Sequence, residues 1–467
     1  MHTGSRWLLG LALAVACVVA ACTSSTAAPQ TPTGSNPTAT PAEVTATVGG
    51  LAADSASGTA GAPTTFTKIG TYDATGITQA DPTFTALAGA KAESGKLGTA
   101  VYQIEVPANW NHELVLFAHG FAGFGTQVSV APPPDAVRQQ LISEGFAWAA
   151  SSYSQNGYDP AVGADDTLAL KLFFAKEHGT PTRTYLIGLS MGGNVVTLSL
   201  EHFGDQYDGA LSACGAVAGE AEIDYLISWG EVAAYIAGVP LPVGQGSNAM
   251  GAAFAKIQAA LGPANQPTEK GLAFQDVMMN LTGGPRPWFQ EGIEQQYLTN
   301  FGLLLLDPNR QSLAGKAATN EGVVYHIDPG FGITDAQLNA GVERLQADAT
   351  ARSTPDSAVT TGKITKPLLT LHGTGDLFVP ISMEQDYAKL VDAAGAGNLL
   401  VQRAVRSAGH CGFTGTELTT AWDDLVNWVE HGVKPKGDDL SGDLSDIGTQ
   451  FTDPLRSGDP GTVSMGP

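Results

Sequence analysis

The chain contains, at residues 185–193, the stretch Tyr185-Leu186-Ile187-Gly188-Leu189-Ser190-Met191-Gly192-Gly193. An apolar run typical of a buried strand leads here into a Gly-x-Ser-x-Gly motif, and a helical pattern to about residue 202 follows. Glycines around a serine allow a tight, strained turn that projects its hydroxyl, and the helix behind it offers backbone N–H groups. In this strand-turn-helix setting the motif predicts that Ser190 is a nucleophile.

A serine hydroxyl becomes a good nucleophile only beside a base that a third group orients. The candidate base is His410, which follows a predicted strand at 399–405 and precedes a predicted helix from about 416 to 431. The candidate acid is Asp376, which follows a predicted strand at 367–371. Serine, acid and histidine therefore each stand just after a strand, in that order along the chain.

This order resembles the α/β-hydrolase superfamily, and in particular its serine esterases and lipases. The resemblance implies a mostly parallel sheet, with Ser190 as nucleophile, Asp376 as the acid and His410 as the base, and it implies no metal or organic cofactor. His119-Gly120-Phe121-Ala122-Gly123, after a predicted strand at 113–118, resembles the family's His-Gly oxyanion loop. By that resemblance, the oxyanion donors are the backbone N–H groups of Phe121 and Met191.

Other histidines and acids compete for the same roles. His119 and His372 each precede a glycine at a strand end, where we expect a packed histidine that supports a loop. Glu384 and Asp386 fall on the helix expected after Asp376 and should point away from the site.

The two cysteines of the globular part are Cys214, at the end of a predicted strand, and Cys411, next to His410. In this fold both would lie at one sheet edge, so we predict a disulfide between them; the alternative is two unpaired thiols. Tannases and feruloyl esterases similarly link a Cys before the serine to one after the histidine. Leu189 precedes the serine here, which departs from that pattern and weakens a tannase assignment.

The alternation of strands and helices predicts a hydrolase core in two parts, residues 66–218 and 366–436. Between them, residues 219–365 carry apolar residues at helical spacing and predict a helical cap inserted before the acid-bearing strand; the alternative is a separate helical domain without a part in the site. Residues 437–467 are rich in Asp without the spacing of a calcium loop, which predicts a solvated acidic tail.

The N-terminus predicts export. Residues 1–21 carry an apolar run too short to span a bilayer and read as a signal peptide. Their end, Val19-Ala20-Ala21 before Cys22, resembles a bacterial lipobox, which implies a lipoprotein whose lipid is attached at Cys22; the alternative is an ordinary signal peptide with an incidental cysteine. Residues 22–65, rich in Thr, Pro and Ala, predict a disordered tether. We therefore expect an extracytoplasmic protein held on the membrane of the cell envelope by lipid.

Charge limits the partners. The 467 residues include 23 Lys and Arg against 45 Asp and Glu, so the formal charge is −22. This surplus of acid argues against binding to nucleic acid or to anionic membranes through charge, and it favours a neutral ester, small or polymeric, as substrate.

The function predicted from these features is hydrolysis of carboxylic esters. A serine peptidase of the prolyl or tripeptidyl aminopeptidase type is the first alternative, although its members usually carry an aromatic residue where Met191 stands. A non-catalytic surface binding protein is the second. Dehalogenases and epoxide hydrolases are excluded, because they need an Asp in place of Ser190.

Overall fold

The computed structural model describes residues 65–354 and 358–453. Eight strands in the described residues form one sheet. Their bounds are β1 Ala90–Leu97, β2 Ala100–Pro107, β3 Glu113–Ala118, β4 Ala147–Ser151, β5 Arg183–Leu189, β6 Gly209–Ala213, β7 Leu368–Gly373 and β8 Leu400–Val405. A separate pair of short strands, Thr78–Gln79 and Gln127–Val128, lies outside this sheet.

The strand order of the sheet is β8-β7-β6-β5-β3-β4-β2-β1. Strand β2 runs antiparallel to both of its neighbours, and all pairs from β4 to β8 are parallel. This order, with its reversal between β3 and β4, is that of the α/β-hydrolase fold, and it confirms the predicted fold class. The carboxyl ends of β5, β6, β7 and β8 therefore meet at one edge of the sheet.

Helices cover both faces of the sheet. In the described residues they are α1 Asp135–Glu144, α2 Pro160–His178, α3 Met191–Phe203, α4 Glu220–Ala237, α5 Ser247–Leu261, α6 Glu269–Leu281, α7 Phe289–Leu306, α8 Leu313–Ala317, α9 Asp335–Gly341, α10 Ala349–Ser353, α11 Ser382–Ala393 and α12 Gly415–His431. Alternate residues of β3 enter different cores: Leu114 and Leu116 belong to one hydrophobic cluster, Val115 and Phe117 to another. Because successive side chains of a strand point to opposite faces, the central strands are apolar throughout.

Residues 219–365, which we call the cap segment, contain helices α4 to α10 in their described part. Trp229 of α4, Phe274 of α6 and Phe301 of α7 pack against one another, with ring centroids 5.0 to 6.2 Å apart. Helices α4, α6 and α7 thus share aromatic contacts, which explains the helical spacing of apolar residues in the sequence. These rings belong to the same hydrophobic cluster as Leu114 and Leu116 of the sheet.

Two elements were not expected from the sequence. Strand β1 reads AKAESGKL, whose charged and small residues have low strand propensity; it forms because all eight residues pair with β2. Helix α1 begins after Pro134 and buries Val137, Leu141 and Ile142 against the sheet.

The acidic tail packs on the core over residues 437–453, although Asp439, Asp443, Asp446 and Asp453 are exposed, as expected for solvated acids. Leu440 and Leu444 are buried beside Ile381 of the core. Asp438 accepts a hydrogen bond from the backbone N–H of Ala404, in the edge strand β8, at 2.8 Å. The segment packs along β8 and supplies partners to a strand edge that would otherwise be open.

The predicted signal peptide, the lipidation site Cys22 and nearly all of the tether lie outside the described residues, as does the end of the tail. Within the part of the chain that the structure describes, none of the helices has the length and apolar character needed to cross a bilayer.

Candidate active site

Ser190 occupies the sharp turn between β5 and α3. Its backbone has φ 58° and ψ −126°, a conformation that non-glycine residues rarely adopt. The flanking glycines make the turn possible: a Cβ at Gly188 would overlap the carbonyl oxygen of Gly192, and a Cβ at Gly192 would overlap that of Ala118. The Gly-x-Ser-x-Gly pattern is thus required by backbone contact here, and it projects the hydroxyl at the carboxyl edge of the sheet.

The structure brings the three predicted catalytic residues together. His410 Nε2 lies 2.8 Å from Ser190 Oγ, and His410 Nδ1 lies 2.7 Å from Asp376 Oδ2. With a carboxylate beside Nδ1, that nitrogen carries the proton and Nε2 is left to accept the proton of the serine. The arrangement can therefore activate Ser190 as a nucleophile.

The Asp376 carboxylate is fully buried and held on both oxygens. Its Oδ1 accepts backbone N–H groups of Phe378 at 2.9 Å and Val379 at 3.1 Å, which leaves Oδ2 for the histidine. Arg286, whose Nε donates to the Thr374 carbonyl at 2.6 Å, is a buried cation close to this loop. Burial lowers the pKa of Arg286 to about 10, so it still carries a positive charge at neutral pH and offsets the charge of Asp376.

The predicted oxyanion loop lies against the nucleophile. A Cβ at Gly120 would come within 3.0 Å of Ser190 Cβ. His119 Nδ1 donates to the Gly120 carbonyl at 2.7 Å, and its ring stacks on Tyr153 with centroids 4.0 Å apart. Because that carbonyl shares a peptide group with the N–H of Phe121, the hydrogen bond orients this predicted donor. Met191 is the first residue of α3, where backbone N–H groups have no partner within the helix.

Both rival histidines have the packing roles expected for them. Burial lowers the pKa of His119, so its ring is neutral. His372 is fully buried between Glu384 Oε1 at 3.2 Å and the Val379 carbonyl at 2.8 Å. Glu384 also accepts from Thr370 at 2.6 Å, so this pair supports strand β7 and the acid loop.

The predicted disulfide between Cys214 and Cys411 is present, with Cα atoms 5.1 Å apart. Both residues have a left-handed backbone, with φ 48° and 55°. Cys411 Sγ lies 3.6 Å from His410 Nε2, so the bond ties the histidine loop to the strand that follows the nucleophile helix.

Removing this link should weaken the fold and the site. We expect the Cys214→Ala/Cys411→Ala double variant to lose about 2 to 5 kcal/mol in free energy of unfolding, measured with urea, because the bond closes a long loop. The activity of the double variant should also fall, since the disulfide bond no longer holds the loop of His410. Dithiothreitol should lower the free energy of unfolding of the wild type and leave that of the double variant unchanged. Alkylation of both cysteines in unreduced protein would contradict the prediction.

Gln296, on helix α7 of the cap segment, joins the two catalytic loops and was not anticipated from the sequence. Its Nε2 donates to the carbonyls of Gly375 at 3.0 Å and Ala408 at 2.7 Å. Its Oε1 accepts from the N–H groups of Leu377 at 3.0 Å and Phe378 at 2.6 Å. One buried amide thus holds the loop of the acid against the loop of the base.

Replacing Gln296 by Ala should therefore misplace the triad. We expect kcat to fall by about 10 to 100 fold with little change in KM, and the free energy of unfolding to fall by about 1–3 kcal/mol, because buried backbone groups lose their partners. The matched control is Gln290→Ala on the same helix, whose amide pairs with the exposed Glu294. Steady-state kinetics that show only a change in KM would argue against this positioning role.

Ser190 opens into a pocket with mainly apolar walls from the core and the cap segment. The core contributes Phe121, Met191 and Phe378, and the cap segment contributes Leu226, Ile227, Leu303 and Leu304. No sequence pattern indicates which cap side chains face the serine, since core and pocket positions share the same helical spacing.

No family model matches the sequence. An o-phthalyl amidase of Xanthobacter agilis is 24% identical over 418 residues, which cover 75% of this chain and 90% of the amidase. Among solved structures, feruloyl esterase B of Aspergillus oryzae aligns with a TM-score of 0.41 and 15% identity, over 72% of this chain and 78% of the esterase. A hormone-sensitive lipase from a metagenome library aligns with a TM-score of 0.37 and 12% identity, over 74% and 85% of the two chains. The chain therefore has the strand order of the α/β-hydrolase fold, and Ser190, His410 and Asp376 have the geometry of a serine hydrolase active site.

Proposed function

We propose that this protein is a serine hydrolase that cleaves carboxylic esters through an acyl-enzyme on Ser190. The observation that carries the proposal is the continuous set of hydrogen bonds from Ser190 Oγ through His410 to Asp376, at 2.8 and 2.7 Å. Each of these groups sits where the reaction needs it without rearrangement.

The reaction follows from the geometry. Ser190 Oγ attacks the ester carbonyl carbon while His410 Nε2 takes its proton, and the N–H groups of Phe121 and Met191 stabilise the negative oxygen that forms. The tetrahedral intermediate collapses, and His410 returns the proton to the departing alcohol. Water, deprotonated by His410, then attacks the acyl-enzyme and releases the acid. Asp376 stabilises the imidazolium in each step.

The pocket supports an uncharged, partly apolar ester, small or polymeric, as substrate. Its walls are mainly aliphatic and aromatic, and the surplus of acidic residues in the chain disfavours anionic esters. The same chemistry requires no metal or organic cofactor.

Amide hydrolysis is the second candidate. The observation that favours it is the likeness over most of both chains to a protein named o-phthalyl amidase. The same triad can cleave an amide, provided that His410 protonates the departing nitrogen.

Two measurements test these candidates. A fluorophosphonate probe should label the wild type and leave Ser190→Ala unlabelled, whereas equal labelling would overturn the proposed nucleophile. Kinetics on p-nitrophenyl alkanoates, matched p-nitroanilides, a phthalyl amide and aminoacyl anilides then rank the reactions. Higher kcat/KM on the esters supports the ester proposal; higher values on the phthalyl amide or the aminoacyl anilides would replace it with an amidase or a peptidase.

We also propose that the enzyme works outside the cytoplasm, anchored by lipid on Cys22. The support is the sequence: a short apolar leader ends at that cysteine, and a tether with only two charged residues, Glu43 and Asp54, follows. Labelled palmitate should be incorporated into the wild type and lost from Cys22→Ala. Incorporation that survives the substitution would contradict the anchor.

A further inference from the structure

Five polar side chains besides Ser190 line the pocket, and three of them, Asp307, Arg310 and Ser312, are hydrogen-bonded within the cap segment. The other two have no assigned role. Glu222 lies in the first turn of helix α4, and Tyr158 lies just before α2. Neither belongs to the triad or to the oxyanion loop.

Glu222 is a buried carboxyl group that lacks a partner on one oxygen. Its side chain is only 2% exposed, and Oε2 has no hydrogen-bond partner among the described residues. Burial, aided by the nearby negative charge of Asp376, raises the pKa of Glu222 well above its usual value. Burial thus favours the neutral carboxyl group, whose O–H can donate and whose carbonyl can accept a hydrogen bond in the pocket.

Tyr158 provides a second O–H group in the lining of the same pocket. Its hydroxyl is buried and has no hydrogen-bond partner in the described part of the chain. Burial and the proximity of Glu222 raise the pKa of Tyr158 well above its usual value, so the phenol keeps its proton. Buried polar atoms are more stable when paired, and these two belong to residues that line a substrate pocket, where a ligand can supply the partner.

We propose that Glu222 and Tyr158 form a specificity subsite that donates hydrogen bonds to an uncharged oxygen of the substrate, a carbonyl or hydroxyl group beyond the scissile ester. This subsite rests on the proposed hydrolysis at Ser190. It narrows the proposed substrates to esters that carry a further carbonyl or hydroxyl group. A carbonyl oxygen has two lone pairs and can accept from both O–H groups at once.

Charged groups fit this subsite less well. An anion would lie near Asp376, while Arg310, a cation of the pocket lining, already donates to the carbonyls of Gly315 and Ala318. An ammonium group has three N–H donors, whereas the subsite supplies only one carboxyl and one hydroxyl group as partners. The free-energy cost of removing the ammonium group from water would therefore be poorly compensated.

The test is a ratio of kcat/KM values for substrate pairs. In the first set, each pair is a p-nitrophenyl alkanoate and the same ester with an oxo or hydroxy group on its acyl chain. In the second set, the acyl group is constant and the alcohol group carries or lacks the oxo or hydroxy group. The wild type should prefer the oxygenated member of at least one pair. Glu222→Met should reduce that preference by about tenfold, mainly through KM, as expected when one hydrogen bond to the substrate is lost.

Three variants sharpen the result. Glu222→Gln keeps a neutral donor and acceptor and should retain most of the preference, whereas Tyr158→Phe should lose part of it. Glu231→Met is the matched control, because Glu231 is a buried acid on the same helix that does not line the pocket. It should leave the preference unchanged.

Stability distinguishes a substrate subsite from a structural role. Glu222→Met removes a buried carboxyl that has an unpaired oxygen, so its thermal unfolding temperature should be equal to or above that of the wild type. A lower unfolding temperature, an unchanged preference in Glu222→Met, or a preference for ammonium-bearing esters that Glu222→Gln abolishes would each overturn the subsite. Absence of all ester and amide hydrolysis would instead overturn the proposed function.

Discussion

Ser190→Ala should lower kcat/KM for ester hydrolysis by about 10⁴ to 10⁶ fold. The substitution removes the atom that forms the acyl-enzyme and leaves His410 with no nucleophile to activate, so only substrate binding and the oxyanion donors remain. The measurement is steady-state hydrolysis of a p-nitrophenyl ester, with single-turnover kinetics to search for a residual burst.

The variant is a clean test because it does not alter the turn. Alanine keeps the Cβ atom of serine, so it makes the same steric demand on a turn in which residue 190 has φ 58°. Ser143→Ala, at an exposed position on α1, controls for a generic loss of a hydroxyl group. Near wild-type hydrolysis by Ser190→Ala with an unchanged unfolding curve would contradict the mechanism.

Asp376→Asn should lower kcat by about 10⁴ fold while KM changes little. An amide at this position can still accept the N–H groups of Phe378 and Val379 on Oδ1. Its NH₂ group would face His410 Nδ1, which would then have to act as an acceptor, and the proton would move to Nε2. In that tautomer the imidazole cannot take the proton of Ser190.

The control for this substitution is Asp386→Asn, which removes an exposed carboxylate paired with Lys389 on α11. That variant should hydrolyse esters like the wild type. If kcat of Asp376→Asn fell by less than tenfold, another group would have to orient His410.

The sequence was sufficient for the parts of the site that depend on local chain geometry. Ser190, Asp376 and His410 each follow a strand within a short motif, and parallel strands bring their carboxyl ends to one edge. The same reasoning predicted the sheet, except for β1, whose pairing with β2 overrides a weak strand propensity. The disulfide also followed from two cysteines placed at that edge.

The residues that hold and line the site could not be predicted in this way. Gln296 and Glu222 lie on helices of the cap segment, where nothing in the local pattern distinguishes a side chain that meets a catalytic loop from one in the helical core. Their roles depend on how α4 and α7 pack on the sheet edge. Similarly, Leu440 and Leu444 anchor a segment whose composition reads as solvated, because two well-placed apolar residues outweigh its charges.

The packing of α7 on the acid loop has a consequence for how substrate enters. Gly292 lies so close to Gly375 that a side chain would not fit between them, and Asn300 donates to the Leu377 carbonyl at 2.6 Å. If α7 swung outward, the loop that carries Asp376 would lose these contacts and those of Gln296. Any opening of the pocket that keeps the triad assembled should therefore leave α7 in place and move other parts of the pocket wall.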